Sequence, residues 1–64
     1  MSEILTVKEA AGYLKLGKPT LDRYRVLGGG PRYLKISPGA VRYRRADLDG
    51  WLESKLIGST SESA

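Results

Sequence analysis

Apolar residues recur along this chain in two periods, and the switches between those periods mark out its elements. Val7, Ala10, Ala11 and Leu14 fall at i, i+3, i+4 and i+7 with Lys8, Glu9 and Lys15 pointing away, which predicts an amphipathic helix opening at Val7. Thr6 and Glu9, three apart, have the spacing of a capping box. Leu16-Gly17 predicts the stop, with Gly17 in the left-handed conformation that ends a helix. Pro19 suits a first helical position and opens a second helix over 19–27. Leu21, Tyr24 and Leu27 are its inward positions, whereas Pro19, Asp22, Arg23 and Val26 point furthest away, flanked by Lys18, Thr20 and Arg25.

Gly28 terminates that helix, and Gly28-Gly29-Gly30-Pro31 forces the chain to turn. The period then drops to two. Residues 33–36 and 40–44 alternate on either side of Ser37-Pro38-Gly39, which predicts a hairpin with Leu34 and Ile36 facing Val41 and Tyr43. The opposite hairpin face carries Tyr33, Lys35, Arg42 and Arg44. From Ala46 the helical period returns through Leu48, Trp51, Leu52, Lys55 and Leu56, with Asp47 and Asp49 at the start where the helix dipole favours anions. Trp51 is the largest core candidate, Leu56 and Ile57 are expected to finish the core, and Gly58 ends the helix. The expected fold is α+β, mainly α: three short helices and a two-stranded β-hairpin wing in the order α-α-β-β-α. Two helices joined by a short glycine-containing turn read as a helix-turn-helix. The domain is expected over 4–57, followed by a polar, disordered tail at 58–64.

Composition narrows the chemistry. Sixty-four residues suffice for one small domain, and the absence of Cys and His removes disulfides, thiolate or imidazole metal sites and Cys or His nucleophile pairs. No catalytic residue, metal or cofactor is expected, so an enzyme is not. The formal net charge of +4 is unevenly spread. Residues 8–45 hold ten basic and two acidic side chains, or +8, and residues 46–64 hold four acidic against one basic, or −3. A surface of that density attracts polyanions. No apolar run reaches membrane-span length and no signal-peptide pattern opens the chain, so a membrane is not an expected partner and the expected location is the cytoplasm; no small-molecule ligand is expected either.

Gly12-Tyr13-Leu14-Lys15-Leu16-Gly17-Lys18 matches the spacing of a phosphate-binding loop. Its context is wrong, since Gly12 lies inside an amphipathic helix and Pro19 stands where Ser or Thr would hold magnesium. Asp47 and Asp49, two apart on a helix, do not face one another and read as helix-start residues. Tyr24 and Tyr43 have inward phase, which leaves Tyr33 and Tyr13 to stack on bases. Cations on two separate elements, a helix and a hairpin, suit a duplex: the helix in the major groove, the hairpin on the adjacent backbone or minor groove. Lys18, Pro19, Thr20, Asp22, Arg23 and Arg25 on the second helix, with Tyr33, Lys35, Arg42 and Arg44 on the wing, are the candidate DNA-binding residues. A basic RNA-binding or protein-adaptor module is the alternative from another class.

Three segments carry a family resemblance. Leu5-Thr6-Val7-Lys8-Glu9-Ala10-Ala11, Thr20-Leu21-Asp22-Arg23-Tyr24-Arg25 and Val41-Arg42-Tyr43-Arg44-Arg45-Ala46-Asp47-Leu48-Asp49-Gly50-Trp51-Leu52, in this order, resemble the small winged helix-turn-helix proteins of the excisionase and AlpA type, related to the DNA-binding domain of MerR regulators. The resemblance spans about residues 4–56 and implies that the second helix is the recognition helix and the hairpin the wing. It implies Lys18, Thr20 and Arg23 at the major groove, with Lys35, Arg42 and Arg44 on the wing. The long dimerisation helix of MerR regulators is not seen in this sequence, which favours a phage or mobile-element factor. By resemblance the role is an excisionase, a recombination directionality factor that binds and bends DNA in several copies and directs a tyrosine integrase; a small AlpA-like transcriptional regulator is the alternative. One departure concerns the recognition helix, which the family usually caps with Ser or Thr where this chain has Gly17-Lys18-Pro19.

Overall fold

A computed structural model of the chain describes residues 3–57, so the tail expected at 58–64 lies outside the described residues. The elements are β1 (Ile4–Thr6), α1 (Val7–Leu14), α2 (Lys18–Leu27), β2 (Leu34–Ser37), β3 (Ala40–Arg44) and α3 (Arg45–Ser54). The mainly α winged helix-turn-helix is therefore as the sequence implies, with one strand more. In α1 the capping box is complete: the Glu9 amide donates to Thr6 Oγ1 at 3.1 Å and the Thr6 amide donates to Glu9 Oε1 at 2.9 Å. Ala10, Ala11 and Leu14 are buried.

The end of α1 differs from expectation. The left-handed residue is Lys15, at φ 58°, and Gly17 is the extended N-cap of α2 at φ −72°. The physical reason is Leu16, whose side chain packs against the core; its amide folds back to the Ala11 carbonyl at 2.9 Å, so the helix has to stop before it. Lys18, not Pro19, is then the first residue of α2, and no side chain caps it.

The sheet has three antiparallel strands in the order β1-β3-β2. β1 went unforeseen because three residues carry too short a pattern. Its register sets Ile4 against Arg44, Leu5 against Tyr43 and Thr6 against Arg42, so Thr6 both pairs with the wing and caps α1. The hairpin register also departs from expectation. Leu34 pairs with Arg42 and Lys35 with Val41, with an irregularity before Ser37↔Ala40. Cross-strand partners share a face. Lys35 therefore lies on the Val41 side, away from Arg42 and Arg44, and Leu34 joins the arginines. Ile36 sits in the irregularity and is exposed rather than paired inward. A one-residue shift changes a strand's face, which is why alternation alone misplaced them.

Seven buried residues form the core: Leu5, Ala10, Ala11, Leu14, Leu21, Tyr43 and Leu48, with Val7, Leu16, Val41 and Trp51 packed around them. Tyr43, fully buried, takes the central place expected of Trp51. Trp51 is half-buried beside Tyr24, their rings edge to face at 5.3 Å, and its indole N–H donates to the Gly29 carbonyl at 2.9 Å. Leu27, Leu52, Leu56 and Ile57, expected inside, are exposed. The core is only as deep as one helical turn on either side of Leu21 and Leu48, and α3 ends at Ser54, short of Gly58. The last turns overshoot it.

Candidate nucleic-acid interface

Every residue on the outer face of α2 is set by its distance around the helix from Leu21, which is fully buried. Pro19, Arg23 and Val26 are exposed on that face, and Asp22 is half-exposed. Asp22 organises one flank. Its Oδ2 lies 3.0 Å from Lys18 Nζ and its Oδ1 lies 2.6 Å from Arg25 Nη2. The hydrogen bond from Lys18, and then that from Arg25, hold the Asp22 carboxyl below its usual value. Arg25 also donates from Nη1 to the Tyr43 hydroxyl at 3.1 Å, and chiefly that bond raises its affinity for its proton. The guanidinium of Arg25, a residue expected on DNA phosphates, is largely covered and bolts α2 to the central strand.

The wing cations also divide. Arg42 is half-buried, donates from Nη1 to the Val41 carbonyl at 2.9 Å, and has no acidic partner among the described residues. Arg44 Nε lies 2.7 Å from Asp47 Oδ2, an ion pair at the junction of β3 and α3 that keeps the guanidinium firmly protonated. Tyr33 is exposed on one side while its ring lies 6.1 Å from that of Tyr43. Tyr13, the other candidate for base stacking, donates its hydroxyl to Asp49 on α3.

The structure gathers these residues into two hollows. The larger, about 430 Å³, opens between the start of α1, the start of α2 and the wing turn, and Lys18, Arg25 and Arg42 line it together with Lys8. The smaller, about 230 Å³, lies on the other flank of α2 between Thr20, Arg23 and Leu27. Lys35 and Arg44 line neither. Lys8 went unnoticed in the sequence because nothing local brings residue 8 near residue 42; the pairing of β1 with β3 does so.

A model of the helix-turn-helix domain family matches residues 4–56, the whole of the helices and wing. The chain belongs to this family, the helix-turn-helix of AlpA and excisionase type. Such a helix-turn-helix domain implies DNA binding. No curated protein matches the chain in sequence. In this helix-turn-helix, α1 and α2 are the paired helices and β2–β3 is the wing. Among the described residues, no helix is long and apolar enough to cross a membrane, and no three acidic side chains converge as a metal site would require.

Proposed function

We propose that this protein binds duplex DNA in a sequence-specific manner, with α2 in the major groove and the wing on the neighbouring backbone. The observation that carries the reading is Arg23: it stands exposed on the outer face of the second helix of the helix-turn-helix, and among the described residues no acid pairs with it. A guanidinium held out in this way suits the paired acceptors of guanine. Thr20 and Pro19 flank it, while Lys18 and Arg42 are placed for phosphates. Lys35 and Arg44 are secondary contacts, since one is turned to the other hairpin face and the other is engaged by Asp47.

A reader this small spans few base pairs, so useful specificity calls for several copies on neighbouring sites and for DNA bent to accommodate them. The role best supported by family type and size is that of an excisionase of a phage or mobile element, acting in copies side by side with a tyrosine integrase. Binding sites mapped to an attachment region would support this role; sites mapped to a promoter would make the protein a regulator instead.

The test compares Arg23→Ala with Arg42→Ala on a site selected from random duplexes and on random DNA. Arg23→Ala is expected to cost about 1–3 kcal/mol on the selected site and little elsewhere, and Arg42→Ala to weaken both alike. Equal losses would sink the division of labour. With five or six phosphates neutralised, the plot of log affinity against log salt has a slope of about −5. Single-stranded RNA outcompeting the duplex would favour an RNA-binding module.

A further inference from the structure

The geometry points to a discrete phosphate clamp in the larger hollow, in which Lys8 at the start of α1, Lys18 at the start of α2 and Arg42 on the wing together hold one phosphodiester of the DNA backbone. This rests on the duplex-binding reading above and adds to it a site and a residue, Lys8, that neither the recognition helix nor the wing contains. Three separate elements converge there. Lys8, Lys18, Arg25 and Arg42 line the hollow, and no Asp or Glu does. Arg25 contributes charge, but two of its five N–H groups are committed, one to Tyr43 and one to Asp22, and the rest sit on a largely covered side chain. The other three keep donors to spare. Lys18 commits one of its three N–H groups to Asp22, and Arg42 commits one of five to the Val41 carbonyl. Lys8 is exposed and has no ion-pair partner among the described residues.

Four cations line the hollow and Asp22, bonded to Lys18 and Arg25 from the flank, offsets only one of them, so a net positive charge remains, and like charges held close repel one another until an anion lies between them. A backbone phosphate meets that need, and the place is right for one: a strand passing from the groove read by α2 to the groove beside the wing has to cross the gap between them. The Arg42 fork is fixed by its own bond to Val41, and its remaining donors match phosphate oxygens two at a time. Thr6 makes the arrangement stable, since it caps α1 and pairs with Arg42 in the sheet, setting Lys8 two residues along the chain from Arg42's ladder partner.

The experiment measures affinity for the selected duplex at salt concentrations from about 50 to about 200 mM, for the natural protein, Lys8→Gln and, as a control at the far end of α1, Lys15→Gln. Lys8→Gln is expected to weaken binding on selected and random DNA by the same factor, several-fold, while the log–log slope becomes shallower by less than the roughly 0.9 of a whole lost phosphate contact, because Lys18 and Arg42 still neutralise that phosphate. Lys15→Gln is expected to keep the natural affinity and the natural slope. A second arm replaces single phosphates by neutral methylphosphonates. One position should weaken the natural protein by a larger factor than it weakens Lys8→Gln or Arg42→Gln, because each variant has already lost part of its grip on that phosphate, whereas at every other position the three should lose alike. If the natural protein binds with a steep slope while Lys8→Gln and Lys15→Gln behave alike, the clamp is overturned and duplex binding stands. If the natural protein ignores duplex DNA, both fall together. Circular dichroism of the variants shows that the fold is retained, and Lys8 has no partner whose loss would disturb it.

Discussion

Tyr43 does more than any other single residue to tie the candidate interface to the core. Its ring is fully buried among Leu5, Leu21 and their neighbours, and its hydroxyl accepts the guanidinium that steadies α2. Tyr43→Phe keeps the packing and removes the acceptor, so a loss of about 0.5–1.5 kcal/mol in urea unfolding is expected, with Arg25 still held by Asp22. Arg25 was legible as a cation near the outer face of its helix, but not as a brace, because its partner lies 18 residues away. Gly30 shows the same limit. A methyl group there would stand 2.5 Å from Tyr24 Cβ, while Tyr24 is held in turn by the edge of Trp51. Gly30→Ala is expected to destabilise by about 1–3 kcal/mol in the same measurement, because Tyr24 Cβ is fixed by the helix backbone and no rotamer change of the ring relieves the contact. In the sequence this glycine is one of three in a row, and only the fold separates it from Gly28 and Gly29, which owe their identity to φ values of 89° and 90°.

At the scale of elements, local rules predicted well where the cause is local. The capping box of α1 involves residues three apart, and the outer face of α2 follows from the helical period once Leu21 is inside. The ends of elements were less readable. α1 stops where Leu16 has to turn back into the core, and α3 stops at Ser54 because beyond it little remains to pack against. Inside α3, Gly50 meets nothing within 4 Å of the place a methyl group would occupy, and its backbone needs no glycine. Gly50→Ala is expected to stabilise the protein by about 0.5–1 kcal/mol, seen as a higher thermal midpoint. A loss there would mean that a methyl group at residue 50 strains its neighbours, and the contrast in sign with Gly30→Ala tests the packing around Tyr24 and Trp51.

For the whole molecule, charge placement matters more than charge count. Of the ten cations over 8–45, Lys18 and Arg25 share Asp22, Arg44 is paired with Asp47 and Arg45 with Glu3. Lys8, Lys15, Arg23, Arg32, Lys35 and Arg42 have no ion-pair partner among the described residues, so the field that meets a polyanion comes chiefly from them. Asp22 gives stability a pH dependence of known sign. Asp22 has a folded pKa held below the ordinary carboxylate value, so its contribution is complete above that value and is lost as pH falls through the folded one. Thermal midpoints are therefore expected to decline below about pH 4, and Asp22→Asn to decline less over the same interval than the natural protein. An unchanged decline in the variant would remove Asp22 from the account.

The sequence by itself determined the three helices, the wing, the cap of α1 and the outward stance of Arg23. Each of these depends on residues within a turn or two of one another, where period, capping and proline geometry act. Only the tertiary structure decided that a third strand pairs Leu5 with Tyr43, that Lys35 leaves the face of Arg42, which cations are neutralised, and that Lys8 meets Arg42 across one hollow. Those outcomes join residues far apart in the chain, such as Tyr13 and Asp49 at a separation of 36. Such contacts are chosen by the competition of many side chains for one small core, and no local pattern records who wins it.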